Sequence, residues 1–128
     1  MKILGIGVDI VENSRIAKSL KNNLFIKRIF TNSEILIAKK IKDKKSYYSK
    51  RFAAKEAFAK SIGTGFRNNF NFQDISIIND KLGKPSFIIN KKIKKIIEKQ
   101  FKTSSFNFFL SISDEKKYSI AYVILQNK

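Results

Sequence analysis

At 128 residues, 43% of them hydrophobic and twelve of them Phe, the chain has the length and apolar supply of one folded domain, residues 1–128, and not of two. It contains no Cys and no His, which excludes disulfide frameworks, thiolate zinc sites, thiol nucleophiles, the Ser-His-Asp triad and every His-ligated metal. A formal net charge of +17 calls for an anionic partner. Nucleic acid is the first such class, although the charge is nearly all Lys, with Arg only at Arg15, Arg28, Arg51 and Arg67, and base readers favour Arg. A coding bias toward Lys, Ile, Asn and Phe accounts for the excess equally well.

"MKILGIGVDIVE" is apolar but too short to span a membrane and lacks a small-residue cleavage site, so a cytoplasmic location is the simple expectation. Its near-continuous apolar run over residues 2–11, with two glycines, predicts a strand buried on both faces. Asp9 interrupts that run and has two readings. It is an N-cap completing an Asp-x-x-Glu box with Glu12, or a carboxylate at a buried strand end whose charge a metal or substrate would offset.

From Asn13 or Ser14 a single helix is predicted through "RIAKSLKNNLFIKRIF", with Ile16, Leu20 and Leu24 in one stripe and Arg15 and Lys18 pointing away. Thr31 and Glu34 form a capping box that starts a second helix. "KDKKSYYSK" reads as a polar link ending before Tyr47 or Tyr48, and "RFAAKEAFAKSI" as a third helix. "ISIIN" and "SFIIN" flank "DKLGKP", so residues 75–90 read as strand, turn, strand, with Gly83 and Pro85 marking the turn. Residues 91–102 place Ile93, Ile96, Ile97 and Phe101 on one helical face opposite a basic one. The tail alternates apolar and polar residues on both sides of "DEKK", as a hairpin does. Helices in the first half and hairpins in the second predict an α+β domain whose first strand joins the C-terminal strands in an antiparallel sheet.

Glu56 and Lys60 carry the strongest chemical signal. At about 100° per residue they fall within roughly 40° of each other, in a narrow stripe flanked by Phe52 and Ala59 on one side and Ala53 and Ala57 on the other. A surface ion pair at i, i+4, worth a few tenths of a kcal/mol, is the plain reading. The apolar flanks favour a partly buried carboxylate that wants a cation beyond one lysine. Asp9 and Glu56, with waters and substrate phosphate oxygens, make a plausible Mg²⁺ site, because Mg²⁺ uses few protein ligands. Gly63 reads as a left-handed helix C-cap. The helix dipole is negative at that end, so a phosphate near Gly65 would have to be held by Lys60, Arg51 or the metal.

"GIGVDIVE", "RFAAKEAFAKSIGTG", "LGKP" and "LSISDEKKYSIAYVI", in this order and at this length, resemble the short, single-domain holo-[acyl-carrier-protein] synthase family of phosphopantetheinyl transferases. The resemblance implies a phosphopantetheinyl transferase fold in a homotrimer, with active sites between neighbouring subunits. It also implies a Mg²⁺-dependent transfer of 4′-phosphopantetheine from coenzyme A to a serine of an acidic apo acyl carrier protein, in fatty acid biosynthesis. By the same resemblance Asp9 and Glu56 hold the metal, and Lys60 contacts coenzyme A phosphate. Arg51, Gly65 and Pro85 surround the nucleotide, while Arg15 and Arg28 dock the carrier. The serine proton has two routes, a metal-held water or Glu56 directly. Asp114 stands where other members of the family carry His or an acid, and its plain role is to begin a hairpin turn. The alternative from another class is a basic nucleic-acid-binding domain without catalysis.

Overall fold

A computed structural model describes residues 1–63 and 70–128 of the chain. Strand β1 (Lys2–Glu12) leads into helices α1 (Asn13–Ser19), α2 (Asn23–Ile29), α3 (Asn32–Ala38) and α4 (Lys44–Ile62). After a 3-10 turn at Phe72–Asp74 come the hairpin β2 (Ile75–Asn79) and β3 (Pro85–Ile89), helix α5 (Lys91–Phe101), and strands β4 (Phe106–Asp114) and β5 (Tyr118–Asn127). β1, β5 and β4 form an antiparallel sheet with β5 in the middle, and β2 pairs with β3 in a second, two-stranded sheet. The α+β class and the union of β1 with the C-terminal hairpin are as the sequence predicts.

The predicted first helix is two. Asn22 turns its side-chain oxygen onto the backbone N–H of Leu24 at 2.9 Å and caps α2, which takes the backbone out of helix between α1 and α2. Leu24 is therefore off the apolar stripe and 76% exposed. The polar link is also shorter than expected, because Asp43 accepts from Ser46 N at 3.0 Å and starts α4 ahead of the two tyrosines. Thr31 and Glu34 form the capping box at the head of α3, and Gly63 closes α4 at φ +92°.

The core is built around α4. Its small residues Ala53, Ala54, Ala57 and Ala59 are fully buried, and Phe58 stacks on Phe108 at 4.3 Å and meets Phe87 edge-on at 4.9 Å. β1 lies so close to this helix that a Cβ on Gly7 would stand 2.0 Å from the carbonyl oxygen of Ala57, and one on Gly5 1.8 Å from that of Ser61. Both glycines are required by backbone approach. The strand is not buried on both faces, however. Ile6, Val8 and Ile10 of β1 are each more than half exposed on the outer side of the sheet, beside exposed Ile120 and Tyr122 of β5 and Phe109 of β4. Among the described residues no helix is long and apolar enough to cross a membrane.

Candidate active site

Gly7 and Asp9 alternate onto the same face of β1, so the contact that presses Gly7 onto α4 also brings Asp9 against that helix. Lys60 Nζ donates to Asp9 Oδ1 at 3.0 Å and to the Val8 carbonyl at 3.1 Å. Asp9 thus lies in the strand and is no N-cap, and Lys60 bonds across to the strand instead of closing the i, i+4 bridge to Glu56. Burial pushes the Asp9 carboxyl up, opposed by Lys60. Glu56 is pushed up first by burial and then by the charge of Asp9, with Lys60 again opposing.

Among the described residues no hydrogen bond reaches the Glu56 carboxylate, and no group of three or more Asp or Glu gathers anywhere. Two hard oxygen ligands in one cleft, the charge of Asp9 raising the proton affinity of Glu56 and Glu56 having no donor among the described residues, fit a cation such as Mg²⁺, which takes the rest of its shell from water and substrate. These groups line a cleft of 460 Å³ with Arg15 and Ser19 of α1, Phe25 of α2 and Phe52 of α4.

The remaining expected site residues lie elsewhere. Arg28 is exposed in the last turn of α2. Arg51 points away from the cleft and is buried. Its Nη2 donates to Asn79 Oδ1 at 2.6 Å, its guanidinium lies 3.7 Å over the Tyr47 ring, and its Nε has no partner among the described residues. Asn79 faces Pro85 across the β2–β3 ladder, which places Arg51 and Pro85 in one neighbourhood. Arg51 and Asn79 border a second cleft of 340 Å³ that shares no lining residue with the first. The expected coenzyme A set is therefore divided within the chain, with Lys60 in the first cleft, Arg51 and Pro85 near the second, and Gly65 outside the described residues. Asp114 ends β4 next to the hairpin turn, and its Oδ2 accepts from Ser46 Oγ at 3.0 Å, tying that turn to the start of α4.

Sequence reasoning missed a fully enclosed polar cluster among the described residues. Lys55, fully buried, donates to Glu34 Oε1 at 2.6 Å, to the Ile29 carbonyl at 2.8 Å and to the Phe72 carbonyl at 3.1 Å. Glu34 in turn accepts from Thr31 N and from Ile77 N, both at 2.9 Å. The available signal was a lysine facing away from the charged stripe of a helix that is otherwise alanine and aromatic there. Also missed was the aromatic wall of the cleft. Phe25 and Phe52 lie 6.2 Å apart, and Phe52 stacks on Phe72 at 5.7 Å.

Comparison with known proteins places this geometry. Residues 5–123 match the model of the ACPS family, described as the 4′-phosphopantetheinyl transferase superfamily. A holo-[acyl-carrier-protein] synthase of Pelagibacter ubique (strain HTCC1062) is 78% identical over 128 residues, all of both chains. The crystal structure of the holo-[acyl-carrier-protein] synthase from Neisseria meningitidis superposes with a TM-score of 0.89 at 40% identity, covering 98% of this chain and 100% of that one. A synthase from Bacillus anthracis, solved in complex with CoA (3′,5′-ADP), gives a TM-score of 0.83 at 37% identity over 98% of each chain. With the acidic pair and its lysine on the motifs that carry the resemblance, the chain belongs to the holo-[acyl-carrier-protein] synthase family of the 4′-phosphopantetheinyl transferase superfamily.

Proposed function

We propose that this chain transfers 4′-phosphopantetheine from coenzyme A to a serine of an apo acyl carrier protein, releasing adenosine 3′,5′-bisphosphate, in the cytoplasm and in the service of fatty acid biosynthesis. The observation that carries the reading is the meeting of Asp9, Glu56 and Lys60 in one cleft, although Asp9 and Lys60 are 51 positions apart in sequence. Asp9 and Glu56 would hold Mg²⁺, which when bound neutralises pyrophosphate oxygens and stabilises charge on the transferring phosphate. Lys60, about half exposed and already turned into the cleft, places a second positive charge beside that phosphate. Glu56, whose carboxylate has no donor among the described residues, or a water held by the metal would take the serine proton. Phe25 and Phe52 give the cleft an apolar wall that sheds water from the reacting groups. Arg15 on the rim, with Arg28 beyond it, offers cations to the acidic carrier.

The assembly we infer is the homotrimer that the family resemblance implies, with active sites between subunits. Two features support it. The outer sheet face presents a contiguous apolar surface of the kind that marks protein interfaces. Arg51 and Pro85 also stand away from the Asp9 cleft of their own chain, as residues serving a neighbour's site would.

Incubation with coenzyme A, Mg²⁺ and purified apo acyl carrier protein tests the activity. The carrier is expected to gain the mass of one phosphopantetheine, and an unchanged mass would reject the proposal. Salt-sensitive nucleic-acid binding without that gain would favour the basic binding domain instead. Light scattering of the purified chain should give three times the 14.8 kDa subunit mass, and a monomer would reject the assembly.

A further inference from the structure

We propose that Lys55 and Glu34 are positioning residues for the transfer: the buried pair sets the place of α2 and of the aromatic wall, and through them how the carrier protein is received. This rests on the transfer reading above. All three ammonium protons of Lys55 are committed, and two of them go to backbone carbonyls rather than to the acid. One of those carbonyls belongs to Ile29, the last residue of α2, where a helix leaves its carbonyls without internal partners and a cation suits its dipole. From the other side, Gln73 Nε2 donates to the carbonyl of Lys27 in the same last turn. At seven residues α2 is too short to hold itself, so its placement comes from such contacts.

α2 carries Phe25 into the cleft and Arg28 at its outer end. The second carbonyl held by Lys55 is that of Phe72, whose ring stacks on Phe52, the other aromatic of the wall. One ammonium thus fixes both halves of the aromatic wall from behind. Glu34 supplies the counter-charge that lets the ammonium stay buried, and its other oxygen ties the group to β2 at Ile77. A buried ion pair is weak evidence for stability in itself, because well-packed apolar residues often replace one without loss. Apolar residues offer no donor to Ile29 or Phe72, and this is what the pair contributes beyond stability. Asp9, Glu56 and Lys60 sit on β1 and on another side of α4, so the reacting groups remain in place when the wall shifts.

The test compares wild type with the double variant Lys55→Met/Glu34→Leu, which removes both charges together, at temperatures where circular dichroism shows both folded. The KM for apo carrier protein is expected to rise about tenfold while kcat at saturating carrier stays within about threefold. Equal falls in kcat and kcat/KM, or an unchanged KM, would overturn the proposal. If the double variant does not fold, Gln73→Ala serves, since it deletes an exposed side chain and leaves the buried pair. It is expected to raise the same KM by a smaller factor, and no change would count against the proposal. A second readout needs neither coenzyme A nor carrier. The chain has no Trp, so Phe25→Trp installs a single reporter on the wall, and loss of the pair should shift its emission to the red. A red shift in a protein whose wild type transfers nothing would leave the positioning of α2 standing and remove the transfer reading. An unshifted emission would sink the positioning itself.

Discussion

Lys55 and Lys60 leave the same helix little more than one turn apart and each meets a single carboxylate, yet the two pairs are opposites. Lys55–Glu34 is closed, at 2.6 Å, with 0% and 1% of the two side chains exposed and with backbone groups filling the remaining hydrogen-bonding positions. Lys60–Asp9 is open, at 3.0 Å, with 54% and 14% exposed, and beside it Glu56 has no donor among the described residues. The first arrangement has no spare valence and serves as architecture. The second keeps unspent charge of both signs in a cleft, as the proposed metal and phosphate would require. Exposure and saturation together, more than the presence of an ion pair, tell the open face of α4 from its closed one.

The sharpest test of this contrast is stability. Glu34→Gln strands a buried ammonium and is expected to cost about 3–5 kcal/mol, whereas Asp9→Asn should stay within about 1 kcal/mol, both read from urea unfolding. Equal losses would erase the distinction. Next in size is Glu56→Gln, which should lower carrier-protein modification by about 10²–10³-fold while leaving the fold intact. The same variant carries a pH prediction. A carboxyl whose pKa is raised on folding binds more protons in the native state than in the unfolded chain. Metal-free stability therefore falls as pH rises from the ordinary carboxylate range through the raised pKa. Glu56→Gln should flatten that fall and be no less stable than wild type at neutral pH. Gly7→Ala comes third. Its methyl has no room against the Ala57 carbonyl, so β1 must retreat, with an expected cost of at least about 2 kcal/mol in thermal unfolding and a loss of activity as Asp9 moves. The smallest effect belongs to Arg15→Glu, which should raise the KM for the carrier about tenfold at nearly constant kcat, most visibly at low salt.

Much of this was legible in the sequence where local rules decide. The Thr31–Glu34 box, the Gly63 cap, the strand–turn–strand unit around Gly83 and the tail hairpin each follow from residues within a few positions of one another. The narrow stripe on α4 and a lone acid in an apolar strand singled out Glu56, Lys60 and Asp9, and the fold brings these three to one cleft. Non-local facts were out of reach. Nothing local says that Asn22 caps a new helix rather than continuing the old one, since both conformations satisfy it. Glu34 was readable as a cap but not as the acceptor for a lysine 21 positions away, because that contact needs α3, α4 and β2 already packed. The outer face of β1 misled for a related reason. An apolar run predicts burial on both faces, whereas within this chain only the face of β1 toward α4 is covered.

The order of strands in the three-stranded sheet sets a condition on how the molecule is made. β5 lies between β1 and β4, so the first strand finds its sheet partner only in the last one, with Lys2 opposite Asn127. Closing a loop of that length costs more entropy than closing the local hairpins, and such non-local pairing slows folding. During synthesis β1 is made well before β5, so its sheet hydrogen bonds wait for that strand, leaving an unpaired edge in the interim. Asp9 rides on that waiting strand. Until β5 arrives, its place against α4 depends on contacts with that helix, through Lys60 and at Gly7, and not on the sheet.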